Sequence, residues 1–307
     1  MESEYPFTPW PALASSGRQL ELPGGTLFFY DRKPDNAENP RSLPALVFIH
    51  GLGDEADSWR HVIPLLCANG CRCIAPDLPG FGRSLWRGKI TVKRHADAVI
   101  KLIEECGVSE AVLIGSSMGC GIAELAAIKR PDLIHSLILV DGCFPVEKRM
   151  SAATLIEGIT FIGRRWYRKF RQNHEGAWKS LYFYYHDLDA MSEEDKKFLH
   201  ERVIARVESD NQEHGYFASL RSMSAVFIFA GVLLSKKIKK LDAKIFLLWG
   251  ENDRVIPAEK TAVFRKLRPD AVFKIIKGGH LPHQENPQEC VQAILSVLNS
   301  WISHNNV

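Results

Sequence analysis

The sequence predicts an α/β protein with a mostly parallel, doubly wound sheet and an inserted helical cap. Short runs of apolar and β-branched residues alternate with helical patterns, which is typical of right-handed βαβ units. Several of these runs are apolar throughout, as expected of strands that are covered on both faces. The alternation is interrupted once, by a long segment with helical periodicity. These three observations predict one sheet-based core with a helical insertion.

Seven runs predict the strands, and four helical patterns lie between or after them. The predicted strands are 26–30, 45–49, 72–75, 111–114, 137–140, 245–249 and 272–276. The predicted helices are 91–106, 118–130, 258–267 and 288–302. Gly107, Pro131 and Pro269 follow three of these helices closely, and both residue types commonly mark helix ends.

The organisation along the chain divides into an arm, a core and a cap. Residues 1–18 are rich in proline, serine and glycine, and predict an extended, partly mobile N-terminal arm. Residues 19–143 and 242–307 carry the α/β pattern and predict the core. Residues 144–241 lack a convincing strand and predict the helical cap. Within it, an apolar stripe recurs at helix spacing: Leu155, Ile159, Ile162, Trp166 and Phe170.

Composition bounds the class of protein and its partners. The 307 residues are 46% hydrophobic and 24% charged, which is ordinary for a globular protein. A formal net charge of +3 is too small to suggest a nucleic-acid partner. The seven cysteines show no metal-site spacing and the N-terminus is unlike a signal peptide, so we expect a reduced, cytoplasmic protein. The longest apolar run, 225–234, is about half of what a membrane helix needs, so no membrane span is predicted.

The segment 115–119 reads Gly-Ser-Ser-Met-Gly and lies between a predicted strand and a predicted helix. This is the context of the G-x-S-x-G nucleophile elbow, a sharp turn that exposes its central serine above the sheet. Small residues are needed at 115 and 119 because the turn crowds the backbone. Ser117 is therefore the candidate nucleophile. The N-terminus of the following helix would favour a negative charge there.

Two further side chains follow predicted strands in the order that a serine nucleophile requires. Asp253 comes just after the run 245–249, and His280 just after 272–276. The carboxyl ends of parallel strands meet at one edge, so Ser117, Asp253 and His280 are expected to converge there. The chain order serine, aspartate, histidine is that of α/β-hydrolases.

The turn 50–53 follows the run 45–49 and reads His-Gly-Leu-Gly. Its glycines allow the backbone to approach a ligand, so the Leu52 N–H can join the Met118 N–H as an oxyanion donor. We expect His50 and Gly51 in this turn to contact the substrate. Phe144 and Trp166 are the contacts expected from the cap.

These motifs together resemble those of the α/β-hydrolase fold superfamily, in the cap-bearing branch that includes esterases, lactonases, C–C bond hydrolases and haloperoxidase-like enzymes. The segment 77–84 is similar to the D-x-x-G-x-G-x-S loop of that family, and 280–287 to its final histidine loop. The resemblance spans roughly residues 20–303. It implies that Ser117 is the nucleophile, His280 the general base and acid, and Asp253 its orienting acid. It implies an oxyanion hole at Leu52 and Met118, and neither a cofactor nor a metal.

Departures from related patterns narrow the expected activity. Haloalkane dehalogenases and soluble epoxide hydrolases carry aspartate where this chain has Ser117, which argues against both activities. Met118 is not the tryptophan usual in proline iminopeptidases, and Leu281 is not the tryptophan common in C–C hydrolases, so both are less favoured. Asp141 follows another strand and stays an alternative to Asp253 as the acid.

The expected function is a serine hydrolase that cleaves an ester or related acyl bond of a small apolar substrate. Nine aromatic residues within 161–185 favour an apolar pocket, although such rings usually pack cap helices together. A ligand-binding or receptor protein on the same fold remains an alternative, as does a C–C hydrolase or perhydrolase with the same three residues. The cap arginines could instead bind an acidic substrate or a membrane, but such charges usually face solvent. The oligomeric state, monomer or homodimer, stays open.

Overall fold

The computed structural model describes residues 8–35, 44–145 and 161–303. In this part of the chain nine strands form one sheet. They are β1 Gly17–Leu22, β2 Gly25–Arg32, β3 Ala45–Ile49, β4 Cys73–Pro76, β5 Leu85–Trp86, β6 Ala111–Ser116, β7 Ile134–Val140, β8 Lys244–Gly250 and β9 Val272–Ile276.

The strand order is β1-β2-β4-β3-β6-β7-β8-β9, and β5 pairs with β2. The pairs from β4 to β9 are parallel, whereas β1, β2 and β5 form antiparallel pairs. The chain therefore leaves β3, β6, β8 and β9 at the same edge of the sheet. That edge is where the predicted functional loops lie.

Helices cover both faces of the sheet. Those of the core are α1 Val62–Ala68, α2 Val92–Glu105, α3 Met118–Lys129, α9 Ala262–Leu267, α10 Pro282–Glu285 and α11 Pro287–Ser303. Helices α2, α3 and α9 share one apolar cluster with Val47 and Ile49 of β3. Helices α1 and α11 share the other with Leu46 and Phe48, because side chains alternate between the two faces of a strand. The sheet is thus doubly wound, as predicted.

All seven predicted strands are present, but β1 and β5 were not predicted. The four predicted helices are also present, with 258–267 divided into a short 3₁₀ turn and α9. Strand β5 has only two residues and β1 is half exposed, so neither carries a strong apolar pattern. Strand β9 is an edge strand with exposed Val272 and Ile275, not one covered on both faces.

The described part of the N-terminal arm, residues 8–18, contains a helical turn where the sequence predicts an extended, partly mobile segment over residues 1–18. Residues Pro11–Ser16 form a 3₁₀ helix, and Leu13 is fully buried in the core. The backbone N–H of Trp10 donates to Asp57 Oδ1 at 3.0 Å. The described part of this arm is therefore packed against the sheet. The proline-rich composition suggests an extended segment, but burial of one leucine and one tryptophan side chain stabilises its packing on the core.

A helical insert separates β7 from β8, and we use this name for residues 161–239. Its helices are α4 Phe161–Lys169, α5 His174–Ser180, α6 Glu193–Glu208, α7 Asp210–Ala225 and α8 Gly231–Lys239. Two small apolar clusters hold these helices together, one containing Tyr167 and Phe170 and the other Trp178 and Tyr185. Leu155 and Ile159 of the predicted stripe lie outside the described residues.

Helices α7 and α8 are joined by a π-helical turn, Val226–Ala230, into one continuous helix of 30 residues. Within the described ranges, this long helix, Asp210–Lys239, has the length and composition of a membrane-crossing helix. Its most apolar 18-residue window has a mean hydropathy of 1.8, and 28% of that window is buried. The uninterrupted apolar run 225–234 is shorter than the apolar part of this helix, because residues with small or hydroxyl-bearing side chains extend that part.

Ion pairs attach helix α6 to the core. Arg206 pairs with Asp54 at 2.6 Å, and Arg202 pairs with Glu55 at 3.1 Å. Asp195, at the start of the helix, pairs with Arg60 at 2.7 Å. The sequence did not predict these pairs, because the partners are more than 100 positions apart.

One carboxylate of α7 binds two arginines of α4 and a third in the 3₁₀ turn Phe170–Gln172 that follows it. Glu213 is buried, and its oxygens accept from Arg164 at 3.1 Å, Arg168 at 2.8 Å and Arg171 at 3.1 Å. Exposed Asp210 also pairs with Arg171, at 2.7 Å. These arginines therefore have a structural role in holding two segments of the insert together.

The seven cysteines all lie in described residues and form no disulfide. Six are buried and Cys106 is partly exposed. Burial raises the pKa of the Cys120 thiol well above its usual value. Cys120 is thus a packed, neutral side chain rather than a second nucleophile.

Candidate active site

The turn between β6 and α3 places Ser117 at the edge of the sheet. Its backbone has φ 51° and ψ −114°, a conformation that non-glycine residues rarely adopt. A Cβ at Gly115 would lie 2.5 Å from the carbonyl carbon of Gly119, and a Cβ at Gly119 would lie 2.2 Å from the Ile49 oxygen. Only glycine fits both positions, which gives a steric reason for the small residues expected there.

The three side chains expected to converge form a hydrogen-bonded chain. His280 Nε2 lies 2.9 Å from Ser117 Oγ, and His280 Nδ1 lies 2.9 Å from Asp253 Oδ2. The other oxygen of Asp253 accepts from the Val255 and Ile256 N–H groups at 2.8 and 2.9 Å. Because the carboxylate accepts the Nδ1 proton, Nε2 is left to accept the proton of the serine. His280 and Asp253 are buried, and Ser117 is partly exposed.

The loops that carry His280 and Asp253 touch directly. A Cβ at Gly250, the last residue of β8, would lie 1.9 Å from the Gly279 oxygen. The turn after β8 can therefore approach the turn after β9 only with glycine at that point. This close approach brings the imidazole within hydrogen-bonding distance of the carboxylate.

Asp141 lies beside the chain but does not bond to His280. It is buried after β7 with φ 50°, and its Oδ1 accepts the Gly250 N–H at 2.8 Å. Burial first, and then the charge of Asp253, raise the pKa of Asp141 well above its usual value. Both effects favour the protonated form of Asp141. The alternative in which Asp141 replaces Asp253 as the partner of His280 is wrong.

The turn 50–53 passes close to the candidate nucleophile. A Cβ at Gly51 would lie 3.4 Å from Ser117 Cβ. Met118 is the first residue of α3, so its N–H has no partner within that helix. Within the described part of the chain, neither the Leu52 nor the Met118 N–H donates a hydrogen bond. Both amides are thus available near Ser117.

His50 holds this turn instead of contacting a substrate. Its Nε2 accepts the Leu78 N–H at 2.9 Å, which leaves Nδ1 to donate to the Gly51 carbonyl at 2.8 Å. The ring is fully buried, and burial lowers its pKa. The predicted substrate contact at His50 is wrong. Gly51 is not a lining residue of the cavity, although it lies beside Ser117.

A cavity of about 250 Å³ opens beside Ser117, between α3 and the long helix. Of the two contacts expected from the cap, Phe144 lines the cavity, whereas Trp166 does not and is 68% exposed. None of the described aromatic side chains within 161–185 lines it either. The lining is almost entirely apolar: Val92, Met118, Gly121, Leu125, Gly142, Cys143, Phe144, Met223, Val226, Phe227, Ala230, Leu233, Leu234 and Ile256, with Ser117 and Lys237. The apolar character was predicted, but the wrong helices were expected to supply it.

Glu285 connects the histidine loop to the helical insert, a role that the sequence did not reveal. Its Oε1 accepts the Gly279 N–H at 2.6 Å. Its Oε2 accepts the N–H groups of His186 and Asp187 at 2.8 and 3.1 Å. The His280 N–H in turn donates to the Tyr184 carbonyl at 2.7 Å. The position of His280 thus depends on the insert. The sequence does contain one indication of this role, because Glu285 lies in the segment 280–287 that resembles the final histidine loop of the family.

No group of three or more His, Cys, Asp or Glu side chains suited to a metal ion occurs within residues 8–35, 44–145 and 161–303. The buried imidazoles outside the site have structural partners. His283 bonds Ser58 at 2.9 Å and His95 bonds Ser219 at 2.8 Å. Burial lowers the pKa of both rings to about 3, so both are neutral.

Comparison with known proteins places this geometry in a family. A family model described as the alpha/beta hydrolase fold matches residues 44–287. The uncharacterised hydrolase YugF of Bacillus subtilis is 30% identical over 257 residues, which cover 83% of this chain and 89% of YugF. An esterase of Mycobacterium tuberculosis is 26% identical over 269 residues, covering 84% of both chains. A haloalkane dehalogenase of Mycobacterium marinum is 35% identical, but over only 114 residues, 36% of this chain and 38% of that enzyme.

Solved structures agree with the fold. The structure of a putative lipase from Acinetobacter baumannii superposes with a TM-score of 0.75 at 22% identity, covering 94% of this chain and 92% of that one. Residues 44–287, which the family model matches, contain β3 to β9, the turns at 50–53 and 115–119, Asp253 and His280. The chain is therefore a hydrolase of the α/β-hydrolase fold family.

Proposed function

We propose that this protein is a serine hydrolase that cleaves carboxylic esters or related acyl compounds through an acyl-enzyme. The observation that carries the proposal is the chain of two 2.9 Å contacts from Ser117 through His280 to Asp253. This chain ends on the wall of an apolar cavity, so a bound acyl group would lie against the serine oxygen.

The first half of the reaction follows from the protonation states. His280 Nε2 takes the proton of the Ser117 hydroxyl as the oxygen attacks the carbonyl carbon. The negative oxygen of the tetrahedral intermediate would be held by the Leu52 and Met118 N–H groups, assisted by the N-terminus of α3. The Asp253 carboxylate stabilises the imidazolium without taking its proton. The intermediate collapses when His280 protonates the leaving alcohol.

The second half repeats these roles with water. His280, neutral again, removes a proton from a water molecule that attacks the acyl carbonyl. The same amides hold the second tetrahedral oxyanion. The proton then returns from His280 to Ser117 as the acid product leaves. No group beyond these side chains and amides is needed to balance the reaction.

Three features support cleavage of an ester, and the first of them favours an apolar acyl group. The cavity offers aliphatic and aromatic carbon, with Lys237 as its charged lining residue among those described. The esterase of M. tuberculosis aligns over most of both chains, whereas the dehalogenase match covers about a third of each. Dehalogenation through an ester intermediate also needs a carboxylate nucleophile, and position 117 carries a hydroxyl.

The direct test compares Ser117→Ala with Ser116→Ala on a panel of p-nitrophenyl esters. We expect Ser117→Ala to lose about 10³-fold or more in kcat, because no other group can form the acyl-enzyme. Ser116 is buried and lies outside the hydrogen-bonded chain, so its alanine variant should stay within a few-fold of the wild type. Undiminished turnover by Ser117→Ala would refute the proposal.

Labelling with a fluorophosphonate separates an enzyme from a ligand-binding protein on the same fold. We expect rapid modification of Ser117 in the wild type and none in Ser117→Ala. Labelling without steady ester turnover would favour the binding protein. Turnover of esters only when hydrogen peroxide replaces water as acceptor would favour a perhydrolase.

A further inference from the structure

The middle of the long helix presents a row of large apolar side chains to solvent. Ile228 is 52% exposed, Phe229 85%, Val232 76% and Leu233 61%. Their spacing places them on one side of a helix. Isolated exposed apolar residues are ordinary, but a contiguous patch marks an interaction surface. We call these four residues the apolar patch.

A basic segment follows the apolar patch directly. Lys236, Lys237, Lys239 and Lys240 are all exposed. From residue 214 to residue 240 the chain contains no aspartate or glutamate. A helix with exposed apolar residues beside lysines, and no acidic residue on the same stretch, has the composition of helices that bind anionic membrane surfaces.

The long helix is held to the core at both ends. Near its start, the Gln212 side chain bridges the Gly53 carbonyl and the Gly82 N–H, both at 3.0 Å. Near its end, Ile238 is fully buried and its carbonyl accepts from Arg268 Nη1 at 3.1 Å. A helix of 30 residues extends about 45 Å, enough to cross a bilayer. Crossing would break both attachments, whereas lying flat on a surface breaks neither.

The same helical turns form the wall of the candidate active site. Phe227, Ala230 and Leu234 line the cavity beside Ser117, while Ile228, Phe229 and Val232 point away from it. Leu233 belongs to both groups, since it lines the cavity and is largely exposed. The apolar patch is therefore continuous with the cavity at Leu233.

We propose that the apolar patch and the four lysines dock the enzyme on an anionic phospholipid bilayer, with the long helix lying in the plane of the interface. The apolar side chains enter the region between headgroups and acyl chains, and the lysines contact the lipid phosphates. A lipid-soluble ester could then pass from the bilayer to Ser117 along Leu233. This last step rests on the proposed ester hydrolysis, whereas the docking does not.

The test measures cosedimentation with vesicles, using the full chain. The wild type should bind vesicles of phosphatidylcholine that contain phosphatidylglycerol, and bind pure phosphatidylcholine vesicles much less. The double variant Phe229→Ser/Val232→Ser should bind roughly tenfold or more weakly, because two membrane-inserted side chains are lost. A matched control is Val272→Ser/Ile275→Ser, which changes two exposed apolar residues on β9 and should bind as the wild type does.

A second variant tests the charge, and a soluble substrate tests folding. Lys236→Gln/Lys239→Gln/Lys240→Gln should lose the preference for anionic vesicles and the sensitivity of binding to salt. The Phe229→Ser/Val232→Ser variant and the triple lysine variant should both hydrolyse a water-soluble aryl ester at the wild-type rate, since none of the substituted side chains lines the cavity beside Ser117. Ser117→Ala should bind vesicles normally.

The outcomes separate the two proposals. Vesicle binding without ester turnover would overturn the proposed function and leave the docking intact. Ester turnover without vesicle binding would overturn the docking. If the wild type is a dimer in solution and Phe229→Ser/Val232→Ser makes it a monomer, a second copy covers the patch and the membrane proposal fails.

Discussion

Ser117 illustrates how much of the site is local in sequence. The glycines at 115 and 119 are required by contacts within one strand-turn-helix unit and its neighbouring strand, so the pattern alone predicts an exposed serine. His50 illustrates the opposite. Its two ring partners include the Leu78 amide on a different loop, and nothing near position 50 in the sequence indicates that contact. Spacing predicts turns well, but it does not predict which donor satisfies a buried ring.

Glu285 gives a prediction at the scale of one residue. In Glu285→Gln an NH₂ group replaces one carboxylate oxygen and faces an N–H donor, so at least one hydrogen bond to Gly279 or to 186–187 is lost. We expect kcat on a soluble ester to fall about tenfold with little change in KM, because the imidazole is displaced from Ser117. Fluorophosphonate labelling should slow in parallel.

The control for this prediction is Glu289→Gln on the adjacent helix. Glu289 accepts from Asn286 at 2.6 Å and from the Lys277 N–H at 3.3 Å, and it contacts neither His280 nor the insert. Its variant should keep the wild-type kcat. A Glu285→Gln enzyme with altered KM and unchanged kcat would show that the residue does not position His280.

At the scale of elements, ion pairs fix how several helices of the insert pack. The apolar stripe from 155 to 170 predicts a helix, and its described part is helical in α4 at 161–169, but the pairings of α4 and α6 involve Glu213, Asp54 and Asp195. Such pairings join residues far apart in sequence, so a charge pattern alone does not reveal them. The lysines at 236–240 and the three paired arginines are both basic clusters in the sequence, but the lysines are exposed whereas the arginines bind a buried carboxylate.

Glu213→Gln tests the pairing of two segments within the insert. The glutamine keeps one acceptor oxygen but lacks the buried negative charge that Arg164, Arg168 and Arg171 share, which should lower the free energy of unfolding by about 2 kcal/mol. Asp210→Asn removes an exposed partner of the same Arg171 and should cost less than about 1 kcal/mol. Urea unfolding measures both values. Equal costs for the two variants would mean that burial of Glu213 contributes nothing.

At the scale of the whole molecule, the core supplies the candidate catalytic residues and the insert supplies one side of the cavity. The order of motifs along the chain predicts the core, because each functional residue follows a strand and parallel strands share one carboxyl edge. The cavity could not be predicted in the same way. The aromatic density at 161–185 indicated one part of the insert, whereas the insert's side of the cavity is lined by mostly aliphatic residues of the long helix. Which helix covers a sheet edge depends on tertiary packing, and composition does not predict that packing.

Gly121 offers a test of that division. It belongs to α3 and lines the cavity, and a Cβ there would meet no atom within 4 Å. Gly121→Ala should stabilise the helix by about 1 kcal/mol and leave acyl selectivity nearly unchanged. Gly121→Leu should fill part of the cavity, lowering kcat/KM for long-chain p-nitrophenyl esters about tenfold relative to the acetate. An unaltered chain-length profile in Gly121→Leu would mean that the acyl group lies elsewhere.

The hydrogen bond from His280 to the Tyr184 carbonyl has a consequence for engineering new specificities. Exchanging inserts between relatives is an obvious way to graft a different pocket onto this core. In this chain, a chimera that replaced the backbone at 184–187 would also remove the acceptor of the His280 amide and two donors to Glu285. A workable junction therefore retains residues 184–187 from the parent and begins the foreign segment after them.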